Sequence, residues 1–300
     1  MKTIVLRLVH PAIAFSAWAL FWLAGSQLQY SQRVSEEDLL RVRLPVPLQL
    51  AYAAGDPFLA ANLNVFRSMM VEASITEQET YRVQAHLQQD AAQFNPYHED
   101  NYYIAAAILP WNGFVAESQS VLDRASNART WDWMPPFFYA FNSWYFEQDM
   151  LRAGDWAELA ATRSSDVNAK ALRAMAAKWY ERGDDPQVAR NLINALQQQT
   201  RDAALRQQLQ VRIERLDGLL ALRAAHDAYV AARNQPPLQL AELLGHAGLE
   251  ALPNDPMQLG YVLNDDGLPV LKQPRAAGPT NQKINSPSPA PVIRNGNEPH

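Results

Sequence analysis

The stretch NPYHEDNYYIAAAILPWNGFVAESQSVLDRA, residues 95–125, decides the fold. Asn95-Pro96 signals an entry turn, and Asn112-Gly113 signals a second turn in the middle. The two flanking runs read as helices joined by that tight turn. Ala106, Ser118 and Ala125 are small, while Tyr102, Leu109 and Leu122 are large. Small residues at helical spacing let two antiparallel helices approach closely, and the large ones fill the groove between them.

The same texture extends outward. Residues 46–233 are almost continuously helical in pattern, and alanine, leucine and glutamine are abundant there while glycine is low, at 12 in the whole chain. The punctuation falls at Gly55-Asp56-Pro57, Asn95-Pro96, Trp111-Asn112-Gly113, Met134-Pro135-Pro136, Gly154-Asp155 and Gly183-Asp184-Asp185-Pro186. Each combines stop or start signals of helices. In NAKALRAMAAKWYERGDDPQVARNLINALQQQ, residues 168–199, Ala176 and Trp179 sit on the first helix and Ala189 and Ile193 on the second. Residues 137–165 keep a Gly-Asp turn without the small positions, and residues 200–233 read as one or two capping helices with regularly spaced leucines.

On the residues just quoted, the stretch 46–200 resembles the tetratricopeptide-repeat family in degenerate form. The turn glycines 55, 113, 154 and 183 are 58, 41 and 29 residues apart, against a family period of about 34. The resemblance implies an α-solenoid of helix hairpins and a work of binding rather than catalysis. After Asn234 the texture changes to a short helix around 238–245, a Pro-rich turn, and a hairpin of strands 260–263 and 268–271 about Asn264-Asp265-Asp266-Gly267. Leu252-Pro253-Asn254-Asp255-Pro256 followed by Gly260-Tyr261 is similar to the end module of type II secretion pseudopilins, which implies envelope assembly machinery. Residues 273–300, with SPSPAP, are expected to be disordered.

The N-terminus gives a location. No formally charged residue except a possible His10 occurs from Leu8 to Gln32, and about 20 apolar residues cross a bilayer. Lys2, Arg7 and the terminal amine precede the run, while Arg33, Arg41 and Arg43 after it are offset by Glu36, Glu37 and Asp38. The positive-inside rule then predicts a single-pass inner-membrane protein with its C-terminal domain in the periplasm. A cleaved signal peptide is the rival reading, with Ala24-Gly25-Ser26 as small residues. The length of the run and the bulk of Trp18, Phe21 and Trp22 favour an uncleaved anchor. The expected organisation is an anchor over 1–32, a helical-repeat domain over 33–233, a helix-plus-hairpin module over 234–272 and a tail.

The chain has no cysteine, which excludes disulfides, thiol catalysis and thiolate metal sites. A net charge of −5 leaves no electrostatic footprint for nucleic acid. No zinc-protease motif, phosphate loop or nucleophile elbow is found. His98-Glu99-Asp100 reads as a helix start, and Asp255, Asp265 and Asp266 read as turn formers before calcium ligands. No cofactor, metal or catalytic residue is assigned, and an enzyme is not expected.

Residues 131–146, WDWMPPFFYAFNSWYF, hold nine aromatics out of sixteen residues. Three readings compete. A second membrane span fails on length and on Asn142, Glu147 and Asp149. A buried helix starting near Pro136 would place Phe137, Phe141, Trp144 and Tyr145 on one face of the core. A platform for a sugar or a peptide would use Trp131 and Trp133 on the loop beside Arg129 and Asp132. The partner-binding residues predicted are Trp131, Trp133, Tyr97 and Tyr102. The reading is a membrane-anchored periplasmic scaffold that binds protein partners in an envelope assembly such as a pilus, secretion or export system. The alternative is a carbohydrate-binding accessory protein of polysaccharide export or cell-wall assembly.

Overall fold

The structure, a computed structural model, describes residues 15–23, 44–70 and 78–273. It is mostly helical, with one small two-stranded sheet among the described residues. The chain divides into two compact units, Met1–Gln148 and Asp149–His300. Residues 15–23 are helical and largely exposed. Among the described residues no helix is long and apolar enough to cross a membrane. Most of the predicted span at 8–29 lies outside the described residues, as do residues 33–43 and the tail after 273.

The first unit contains α1 (Val46–Tyr52), α2 (Pro57–Met70), α3 (Gln78–Phe94), α4 (Glu99–Ile108), α5 (Val115–Ala128) and α6 (Met134–Tyr145). Gln49 of α1 pins the first three helices together. Its amide donates to Asp90 Oδ2 at 2.7 Å and accepts from Asn64 at 2.6 Å. The quoted stretch forms the hairpin α4–α5, with Gly113 as a left-handed cap at φ 87°. Tyr102, Leu109, Leu122 and Ala125 are buried, together with Ala85 and Ala92 of α3. The small contact residue is Ala105 rather than Ala106, one place earlier than predicted. Ser118 Oγ donates to the Ala105 carbonyl at 3.3 Å, so the two backbones meet there.

The aromatic run departs most from expectation. Helix α6 begins at Met134 and buries Pro135, Pro136, Ala140, Asn142 and Ser143. None of its aromatic side chains is fully buried. Asn142 reaches Ser118 Oγ at 3.3 Å, and Gln119 donates to Ser143 Oγ at 3.1 Å. The inner side of α6 is therefore small and hydrogen-bonded; Phe138 and Tyr139 pack partly buried against the core, and Tyr145 is exposed.

The second unit contains α7 (Met150–Thr162), α8 (Asp166–Tyr180), α9 (Pro186–Gln199), α10 (Ala203–Arg233), β1 (Tyr261–Leu263) and β2 (Pro269–Leu271). Ala176, Trp179, Ala189 and Ile193 are buried, as their spacing predicts. Residues 203–233 form one helix of 31 residues, capped by Asp202, which accepts from Leu205 N. The predicted helix around 238–245 is a single 3-10 turn, Leu240–Leu243. The strands pair antiparallel, with Val262 opposite Val270.

The hairpin module is held on α10 by Arg215. This buried guanidinium donates to Glu181 Oε1 at 2.6 Å, Asp255 Oδ2 at 3.1 Å and the Lys272 carbonyl at 2.7 Å. Asp255 also accepts from the backbone of Met257, Leu259 and Gly260. Its carboxylate is thus committed to a turn and an ion pair. Tyr261 donates to the Arg215 carbonyl at 3.0 Å over Gly218, where any side chain would strike the ring.

The break predicted at Gly154-Asp155 is corrected: both residues lie inside α7. The real turn is made by Gln148, which adopts φ 56° and donates to the carbonyls of Trp144 and Tyr145, and by Asp149, which caps α7. Gly154 serves close packing, because a Cβ there would collide with the Tyr180 ring. Tyr180 also donates to Asp155 Oδ1 at 2.8 Å, so the ring is held in place. Gly154→Ala should therefore destabilise the second unit by about 1–3 kcal/mol, the range for overpacking. Urea unfolding followed by circular dichroism checks this; helix propensity alone would make the variant more stable than the parent.

Candidate functional site

Three of the four predicted partner-binding residues come together at one end of the α4–α5 hairpin. The loop before α4 brings Tyr97, and the loop after α5 brings Trp131. Their rings stack with centroids 6.1 Å apart and an interplanar angle of 13°. Tyr97 is 52% exposed and Trp131 63% exposed. Tyr102 is buried beneath them at 1% exposure and joins the site through its hydroxyl. Trp133 is not part of the stack: it is half-buried and packs on Phe137 at 5.7 Å.

Arg129 assembles this site. Its guanidinium donates to the Tyr97 carbonyl at 3.0 Å, to Glu99 Oε2 at 3.0 Å and to Asp132 Oδ2 at 2.9 Å. It lies 5.6 Å from the ring centroids of both Tyr102 and Trp131. One cation thus fixes both loops and supports the indole through its π face. Asp132 accepts from Arg129, from the Tyr102 hydroxyl at 2.8 Å and from Met134 N at 3.0 Å, which starts α6. The neighbourhood of Arg129 and Asp132 is visible in sequence, but the long-range contacts to Tyr97 and Glu99 are not. Glu99 reads there only as an acid at a helix start, and His98 does cap α4 through its ring nitrogen.

The electrostatics follow from this geometry. Burial pushes the Asp132 carboxyl up, but the hydrogen bonds from Met134, Tyr102 and Arg129 and the charge of Arg129 outweigh it, and its pKa falls below the ordinary value. Burial and the neighbours Tyr103 and Asp132 push the Tyr102 hydroxyl far up, so it remains a donor. Burial pulls Arg129 down, but Asp132, Tyr102 and Glu99 turn the balance and its pKa is raised.

A second aromatic group, not singled out by sequence, lies at the turn end of the same hairpin. Trp111 is exposed and contacts Tyr145 at 5.4 Å and Phe146 at 5.0 Å, while Phe141 stacks on Tyr145 at 6°. Its signal was a tryptophan in a Pro-Trp-Asn-Gly turn, where core packing does not call for one. No cluster of three or more His, Asp or Glu suited to a metal occurs among the described residues. What the site offers is two accessible, stacked rings beside the partly exposed Glu99 carboxylate. No protein-family model, curated protein or solved structure gives a match to this chain.

Because the folded pKa of Asp132 is depressed, its contribution to stability is present above about pH 4 and fades as pH falls through the lower folded value. Asp132→Asn should cost about 1–3 kcal/mol at neutral pH through the weakened bonds. The gap between parent and variant should narrow below pH 4. Urea midpoints measured across pH 3–7 decide this, and equal midpoints at pH 7 would contradict it.

Proposed function

We propose that this chain is a membrane-anchored adaptor of the bacterial envelope. Residues 8–29 hold it in the inner membrane, and the periplasmic helix hairpins, stacked in the manner of tetratricopeptide repeats, bind a protein partner. One observation carries the reading: the Tyr97–Trp131 stack is over half exposed, yet Arg129 bonds the Tyr97 backbone and lies against the Trp131 ring. Exposed aromatics that are ordered before binding lose little entropy on contact and are the usual anchors of protein interfaces. The anchor adds effective concentration at the membrane surface.

A carbohydrate partner is the second reading, favoured by the same near-parallel rings with a carboxylate beside them. The two readings separate in one experiment. A photoreactive phenylalanine analogue at position 131 should give one discrete protein adduct in cells, lost when Tyr97→Ala is added. No adduct, together with quenching of tryptophan fluorescence by envelope glycans in the purified chain, would overturn the protein reading in favour of the sugar.

A further inference from the structure

Helix α2 carries an apolar surface that the described residues leave exposed. At 100° per residue its inner arc holds Ala60, Ala61, Asn64, Val65 and Ser68, all buried. The opposite arc holds Phe58, Leu59, Asn62, Phe66, Met69 and Met70, all exposed. Phe58, Phe66, Met69 and Met70 are each at least half exposed. No charge lies on that arc; Arg67, the only charged residue of the helix, sits at its border. The apolar surface continues into a groove of about 360 Å³ between α1 and α2, lined by Leu44, Tyr52, Leu63 and Phe66 among others. A helix apolar on both sides calls for cover on both.

We infer that this outer face of α2 rests on the lipid bilayer, so that the first unit is docked on the membrane as well as tethered to it. The inference relies on the anchor proposed above. Three observations favour lipid over a protein cover. The arc offers one polar side chain, Asn62, where a protein interface needs a hydrogen-bonding rim. Tyr52, 77% exposed, stands beside it as an interfacial aromatic would. Only the residues between Tyr30 and Leu44 separate the apolar segment from the groove, a reach of at most roughly 50 Å when fully extended.

Because the face is uncharged, docking draws on apolar burial and does not require anionic lipid. The chain has no cysteine, so a single introduced one is labelled uniquely. The test places an environment-sensitive fluorophore on Phe66→Cys in the full chain, reconstituted in vesicles of phosphatidylcholine alone. Leu20→Cys and Gln187→Cys serve as references inside the proposed anchor and at an exposed polar position of the second unit. Doxyl-labelled phosphatidylcholine should quench the labels at 20 and 66 at least twofold and leave the label at 187 unchanged. Quenching at 20 with a water-like label at 66 would overturn the docking and leave the anchor standing. A blue-shifted but unquenched label at 66 would also overturn it, assigning the face to protein. No quenching at either position would overturn docking and anchor together.

Discussion

Close approach of helix backbones governs both units. Ser118 bonds the Ala105 carbonyl across one hairpin, and at Gly154 a Cβ would strike the Tyr180 ring. Ala153, Ala157, Ala160 and Ala161 line the inner side of α7 in the same way. Where α6 meets α5, Asn142 and Ser143 take the buried positions in place of rings. The aromatics of residues 131–146 are therefore at most partly buried, with Phe138 and Tyr139 packed at the edge of the core. The chain's accessible ring surface is thus a consequence of how tightly its hairpins close.

Two arginines then convert packed helices into defined surfaces. Arg129 ties the loops at the open end of α4–α5, and Arg215 ties the C-terminal hairpin to α10. Buried ion pairs add little net stability once desolvation is counted, but their directional, charge-assisted bonds leave few alternative arrangements. At Arg129 this matters for recognition, since Tyr97 and Trp131 would otherwise sit on two independent loops. The loops would then have to order on binding, at a cost that the fixed geometry avoids.

Much of the helical architecture was legible from local signals. Gly113, Asp185-Pro186 and Asn95-Pro96 are stops and starts that work within a few residues, and each lies at a helix end in the structure. The turn at Gln148 was not legible, because a left-handed glutamine that bonds its own helix end carries no composition signal. Gly154 misled for the complementary reason: a glycine required by a neighbouring ring looks the same as one required by a turn. The rings of α6 misled because their number suggested burial, whereas helix spacing, set by Ala140, Asn142 and Ser143, decided it. The roles of Glu99 and Arg215 depend on partners some 30 to 57 residues away, beyond any local pattern.

Trp131 is foremost among the aromatic residues that lie exposed beside closely packed helices. Fluorine NMR of the chain labelled with 5-fluorotryptophan, with a soluble paramagnetic agent added, tests this most directly. Trp131 and Trp111 should broaden strongly, while Trp179, buried in the second unit, should hold its linewidth. A Trp131 signal as protected as that of Trp179 would place the indole in the core and contradict the account.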